Sequence, residues 1–336
     1  MLEHGGRLRV AAEKFGVPLE QWIDLSTGIS PWLYPVTAIP DSAWHRLPEP
    51  DDALNTIAAK YYGSPRLLAT AGSQPAIQAL PSLFPRSKVA IVGPTYNEHI
   101  AAWHTTHDVK IVGDLSSALA TDDSIVLLCN PNNPTAMHYK RAELLEAAAQ
   151  LQARDGWLLV DEAYSDAYPE HSVTAFAGSS QAPRLITLRS LGKFFGLAGA
   201  RVGFVFADTA LLVRLSDTLG PWTISGPSRW VAQDALANTV WQSNQITHIK
   251  DAGIRLKLLI TQIIAPQAPV QSTGLFSTFR LSEAHDLFEH LARRGILVRL
   301  FGEESLIRIG IAADHEWKRL ELALKDWCNT NPQRNP

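Results

Sequence analysis

Lys193 stands in SLGKFFGLAGARVGF, a stretch from Ser190 to Phe204 that mixes glycines, phenylalanines and one later cation, Arg201. Apolar surroundings disfavour an ammonium, so a lysine placed there is suited to attack a carbonyl as the free amine. The stretch is no phosphate-cradling P-loop, because no glycine precedes Gly192 at the required distance and Phe194 follows the lysine. Nor does it hold the G-x-G-x-x-G spacing of a dinucleotide site. Three further polar stretches follow or flank apolar runs. In LLVDEAYSD the apolar run ends in Asp161 and Glu162, with Tyr164 three residues after Asp161. A carboxylate at the end of a buried strand is costly unless a cation meets it, the other reading being a cap or surface acid. CNPNNPTA alternates asparagine and proline up to Asn133, the chemistry of a turn. ATAGSQPAIQAL sets Gly72, Ser73 and Gln74 before a helical run, either as a plain N-cap or as amides that hold an anion.

Together these stretches offer an anion cradle, an acid for a ring nitrogen, a phenol and an amide for a ring oxygen, and an imine-forming amine. Pyridoxal 5'-phosphate requires all of them. The order and spacing of the motifs resemble the fold-type-I pyridoxal-phosphate enzymes, the aspartate aminotransferase superfamily, over nearly the whole chain. The resemblance implies that Lys193, Asp161 and Tyr164 are catalytic. Lys193 would hold the coenzyme covalently, Asp161 would face its ring nitrogen, and Tyr164 and Asn133 its ring oxygen. Tyr96, in GPTYNEH, would stack on the ring. Gly72, Ser73, Gln74, Ser190 and Arg201 would hold the phosphate. Arg308, in SLIRIGIA, would pair with a substrate carboxylate. Two positions depart from the pattern: Ala136 replaces the glycine of NPTG, and Leu47 stands where many relatives carry a tyrosine that reaches a neighbouring subunit.

The opening, EHGGRLRVAAEKFGVPLEQWIDLSTGISPWLYP, resembles that of the threonine-phosphate decarboxylases of cobalamin biosynthesis. Histidinol-phosphate aminotransferases share the other motifs but lack the HGG. The resemblance implies decarboxylation of L-threonine O-3-phosphate to (R)-1-amino-2-propanol O-2-phosphate, with an aminotransferase of histidinol phosphate or a related amino acid as the alternative. A catalytically silent regulator is a third reading, without a DNA-binding module or basic patch to support it. Expected substrate ligands are His4, Arg7 and Arg299, backbone amides at Gly5, Gly6, Ile29 and Ser30, and the side chains of Asn133 and Arg308. One tension follows. A strong ground-state grip by Arg308 on the carboxylate opposes its loss as carbon dioxide.

These residues must be carried by an α/β framework. KVAIV (88–92), SIVLLC (124–129), WLLVD (157–161), RLITLR (184–189) and RVGFVFA (201–207) are short, apolar and bounded by turn residues, as buried strands are. RAELLEAAAQLQAR (141–154) lines up Leu144, Leu145, Ala148 and Leu151 on one helical stripe. The pattern predicts a mostly parallel sheet covered on both faces, with ligands outside the carboxyl ends of its strands, and the resemblance makes it a three-layer, large coenzyme-binding domain over 39–248. An N-terminal segment, 1–38, is expected to pack on a smaller α+β domain over 249–336 and on the active site.

Composition fits an enzyme of small molecules. Of 336 residues 46% are hydrophobic and 19% charged, and the formal net charge is −3, with no basic field for nucleic acid. No apolar run is long enough for a membrane span. Cys129 and Cys328 are too few for a disulfide framework, which together with the lack of a signal-peptide pattern predicts a cytoplasmic protein. The superfamily resemblance implies a homodimer. His99, His104 and His107 lack a strong ligand spacing and read as histidines on a partly exposed helix; no metal is expected.

Overall fold

The structure, a computed structural model, describes residues 4–264, 269–303 and 305–330. By its contacts the chain divides into two compact units. One holds the residues up to Trp32, Pro134–Met137 and those from Gln245 on; the other holds Leu33–Asn133 and His138–Asn244.

The chain opens with helix α1 (Leu8–Phe15), stopped by Gly16 in the left-handed conformation, and the short strand β1 (Ile23–Asp24). In the second unit come α2 (Asp41–His45), α3 (Leu54–Tyr62), β2 (Leu67–Thr70), α4 (Gln74–Ala79), β3 (Lys88–Val92), α5 (Asn97–His104) and β4 (Asp108–Val112). It continues with α6 (Leu115–Leu119), β5 (Ile125–Cys129), α7 (Arg141–Gln152), β6 (Trp157–Asp161), β7 (Leu185–Ser190), β8 (Gly203–Phe206), α8 (Thr209–Leu219) and α9 (Gly226–Ala237).

The strands of this unit form one seven-stranded sheet in the order β2-β8-β7-β6-β5-β3-β4. All neighbours are parallel except those of β8, which runs antiparallel to both β2 and β7. The reversal has a consequence for the site: the start of β8 falls at the same edge as the carboxyl ends of β2, β5, β6 and β7. Ser190 and Thr70 both register with Gly203, and Cys129 with Asp161.

Burial on both faces explains why β5, and β6 up to Val160, are continuous apolar runs. On one face Ile91, Leu127, Leu159, Ile186 and Val205 pack with Ile77 of α4, Trp103 of α5 and Leu215 of α8. Successive side chains alternate faces, and α7 covers β6 with Leu144, Ala147, Ala148 and Leu151 buried.

The other unit continues with α10 (Thr239–Ile263), which begins in the sheet unit, and then β9 (Gln271–Ser272), β10 (Phe276–Arg280), α11 (Ala284–Ala292), β11 (Ile296–Leu297), β12 (Arg299–Phe301), β13 (Leu306–Gly310) and α12 (Trp317–Thr330). Its main sheet is antiparallel in the order β12-β13-β10-β9, and β1 pairs in parallel with β11. Among the described residues no helix is long and apolar enough to cross a membrane.

Candidate active site

At the carboxyl edge of the large sheet a cavity is lined by Ser73, Gln74, Tyr96, Cys129, Asn133, Asp161, Ala163, Tyr164, Ser190, Gly192, Lys193, Ala198 and Arg201. Eight of these were anticipated from sequence as coenzyme ligands besides Lys193 itself. Gly72 adjoins the cavity from the turn after β2.

The turn works because two glycines remove side chains. Gly72 has φ +75, and a Cβ there would stand 2.7 Å from Arg201 Nη2. A Cβ on Gly203 would stand 2.8 Å from the Ser73 amide nitrogen. The guanidinium of Arg201 and the start of α4 therefore meet without a side chain between them. Arg201 itself holds the left-handed conformation, with φ 52, and its Nη1 donates to the Ala198 carbonyl at 3.2 Å. The Ser73 side chain caps no helix amide, so its hydroxyl is not engaged as the plain N-cap reading supposed.

Asp161 ends β6 with its side chain buried, and the cation that meets it is His99, from α5. Nε2 lies 2.9 Å from Asp161 Oδ2, and His99 is fully buried. Burial alone would pull the imidazole pKa down; the hydrogen bond to Asp161 and the neighbouring Cys129 outweigh that and hold it up at about 10. His99 is thus an imidazolium that balances the carboxylate, a role its sequence context did not disclose. The expectation of histidines on a partly exposed helix is corrected here. His104 is exposed, but His99 is buried, and so is His107, held by the Pro81 carbonyl at 2.9 Å and the Ser87 amide at 3.1 Å. Ligand atoms of His99, Cys129 and Asp161 lie within 4.8 Å of one another, a closeness the His99–Asp161 ion pair accounts for.

The adjacent acid, Glu162, is met by a second cation. Arg189 Nη1 donates to Glu162 Oε2 at 2.7 Å and Nη2 to Asp166 Oδ1 at 2.8 Å, all three residues buried. Val173 N and Thr174 Oγ1, each at 2.7 Å, with the Ser172 hydroxyl, complete the shell of Glu162. Burial disfavours the Arg189 cation, and Asp166 and Glu162 more than compensate. Because Glu162 follows Asp161 and Arg189 precedes Ser190, this network fixes the ends of the two strands that deliver site residues.

The polar loop after β5 meets most of its own needs. Asn130 exchanges hydrogen bonds with the Tyr139 backbone, donating at 3.2 Å and accepting at 2.8 Å. Asn132 accepts from Thr95 Oγ1 at 2.8 Å and donates to the Pro94 carbonyl at 2.8 Å. Asn133 is the asparagine that lines the cavity. Lys193 is half-buried, its Nζ 5.3 Å from the centre of the Tyr164 ring. Tyr96 donates to Gln74 Oε1 at 3.3 Å, and Gln74 donates in turn to Glu98 at 2.8 Å.

The substrate residues expected from sequence lie in the other unit, Asn133 excepted. Arg299 of β12 and Arg308 of β13 stand in direct cross-strand register, both over Phe301. Like charges opposite each other destabilise a sheet, so the pair is suited to an anion. Arg308 is buried and its Nη2 donates to the Ser26 carbonyl. His4–Gly6 runs beside the same loop, with the Gly6 amide donating to Ser26 Oγ at 2.8 Å. Ser30 accepts from Gln245 at 2.7 Å. Arg7 is exposed at the start of α1 and Ile29 half-buried.

A mostly parallel sheet with one reversed strand carries a lysine, an acid and an arginine beside a helix start at its carboxyl edge. The chain belongs to the aminotransferase class I and II family, which it matches over residues 36–326. It is 46% identical over 327 residues to a threonine-phosphate decarboxylase of Pseudomonas aeruginosa, covering 96% of this chain and 97% of that one. It is 40% identical to another of that name from a Sinorhizobium species, covering 93% of each. In fold it is similar to histidinol-phosphate aminotransferase from Sinorhizobium meliloti, solved in complex with pyridoxal-5'-phosphate, at TM-score 0.81, 19% identity and coverage of 98% and 96%.

Proposed function

We propose that this protein is a pyridoxal-phosphate-dependent lyase that converts L-threonine O-3-phosphate to (R)-1-amino-2-propanol O-2-phosphate and carbon dioxide, in cobalamin biosynthesis. What carries the reading is the 46% identity along essentially the full length to a threonine-phosphate decarboxylase.

The cavity fits the coenzyme by its donor set and by the space that Gly72 and Gly203 leave beside Arg201 and the Ser73 amide. Ser73, Ser190, Arg201 and the backbone around Gly72 and Gln74 would hold its phosphate. Asp161, backed by the charged His99, would keep a proton on the ring nitrogen; Tyr164 and Asn133 would face the ring oxygen and Tyr96 the ring plane. When bound, pyridoxal phosphate draws electrons from the bonds at the substrate's α-carbon. Lys193 would hold the coenzyme through its ε-amine and deliver a proton to the α-carbon. In the overall change the bond from Cα to the carboxylate breaks, its electron pair stays at Cα and takes up that proton, and carbon dioxide leaves. Arg299 and His4, with amides of Gly5 and Gly6, would take the substrate phosphate, and Arg308 the carboxylate. Arg7, Ile29 and Ser30 complete the set carried over from the N-terminal resemblance.

The protein is further proposed to be a homodimer. The sheet unit leaves Trp44 68% and Leu47 65% exposed on and after α2, with Trp222 59% and Trp230 42% exposed before and on the adjoining α9, a surface suited to a second copy. A cytoplasmic location, where the free thiols of Cys129 and Cys328 stay reduced, completes the reading.

The test is incubation of the coenzyme-loaded protein with phosphothreonine in the absence of any 2-oxo acid. Release of carbon dioxide and of the aminopropanol phosphate is expected. Turnover that requires a 2-oxo acid acceptor would instead establish the aminotransferase.

A further inference from the structure

If Arg308 receives the substrate carboxylate, as proposed above, what already occupies its guanidinium sets how tightly that carboxylate is gripped. One donor is taken. Arg308 Nη2 donates to the main-chain carbonyl of Ser26, one of only five N–H groups on the fork.

That carbonyl is held in place by a set of contacts that sequence reasoning did not pick out. Ser26 N and Oγ both donate to Asp24 Oδ1, at 2.9 and 2.6 Å. Ser26 Oγ accepts from the Gly6 amide at 2.8 Å. The preceding carbonyl, of Leu25, accepts from Gly310 N on β13 at 2.7 Å, two residues from Arg308. Gly5 presses on the same atom: a Cβ there would stand 2.4 Å from the Ser26 oxygen. The loop after β1 is thus fixed to β13 on one side and to the Gly5–Gly6 segment on the other, and what it presents to Arg308 is an acceptor.

We infer that Asp24, Ser26 and Gly5 form a latch that determines reaction specificity by occupying one edge of the Arg308 fork and so weakening its grip on the substrate carboxylate. A forked Arg–carboxylate pair is stronger than a single hydrogen bond, and the Ser26 oxygen also repels a carboxylate oxygen that approaches the same edge. A group that must leave as neutral carbon dioxide gains nothing from ground-state binding that disappears in the transition state. The latch loosens that binding and so resolves the tension between a carboxylate arginine and a decarboxylation. Asp24 and Ser26 are positioning residues that act through Arg308.

Three variants test this: Ser26→Ala and Asp24→Ala, which loosen the latch, and Asp24→Asn, which keeps an acceptor oxygen. Calorimetry on coenzyme-free protein measures binding of phosphothreonine and of aminopropanol phosphate, which has no carboxylate. Both alanine variants are expected to bind phosphothreonine about 3- to 10-fold tighter, the scale of one typical net hydrogen bond. Binding of aminopropanol phosphate stays unchanged, which also reports an intact fold. In the loaded enzyme kcat and KM fall together, and Asp24→Asn behaves as wild type. Unchanged or weaker phosphothreonine binding in the alanine variants of an active enzyme overturns the latch alone. A wild-type protein that releases no carbon dioxide from phosphothreonine overturns the proposed function, and the latch with it.

Discussion

Replacing His99 by glutamine removes a buried imidazolium and keeps a side chain that can donate to Asp161. The native imidazole pKa is about 10 against an ordinary 6.5, so the folded protein binds this proton more tightly than the unfolded chain. For a raised pKa the linked stability is fully present below the unfolded value and is lost as pH rises through the folded one. With these two values the contribution is about 4 kcal/mol near pH 6.5, about 3 kcal/mol at pH 8 and about 1 kcal/mol at pH 9.5. Urea unfolding of coenzyme-free wild type and His99→Gln at these three pH values measures it. The stability gap between the two proteins should narrow by about 3 kcal/mol across the range. A gap that stays constant, or widens toward high pH, would refute the assignment of a charged His99. The same variant should also weaken coenzyme binding, since Asp161 would lose the cation behind it.

Arg189→Met leaves Glu162 and Asp166 as uncompensated buried acids, and breaking such a network costs about 3–5 kcal/mol; thermal unfolding should show a large drop in midpoint that is partly recovered at low pH as the acids take up protons. Trp44→Glu combined with Trp222→Glu, at exposed positions, should leave the monomer folded by circular dichroism but abolish dimers in sedimentation velocity, and persistent dimers would place the interface elsewhere.

The large sheet was legible in the chain wherever strands are buried on both faces. β3, β5, β6, β7 and β8 each lie within or almost within the apolar runs read from sequence. The edge strands were not. β4, Asp108–Val112, mixes exposed and half-buried residues, and β2, Leu67–Thr70, is only four residues long; one is too polar and the other too short to stand out from a loop. The reversal of β8 was equally hidden, because the direction of a strand leaves no mark on its composition.

The residues that line the cavity could be picked out because they lie at or after strand ends, where such a sheet places ligands. Their support could not. The cost of burying Asp161 and Glu162 is apparent from the sequence, but which cation serves which acid depends on packing. His99 lies 62 residues before its partner and Arg189 27 residues after Glu162. Ser26 escaped notice for another reason. It acts through a carbonyl that every residue has, and only the hydroxyl and the Asp24 carboxylate that hold it carry any trace in the sequence.

The antiparallel pairing of β2 with β8 also makes one edge of the cavity depend on a distant part of the chain. Thr70 and Gly203, which bring Gly72 and Arg201 together, are about 130 residues apart in the chain, so their pairing carries the entropy cost of closing a long loop. With the coenzyme held there as proposed, its binding would rescue variants that unzip this outer strand pair more effectively than variants damaged elsewhere.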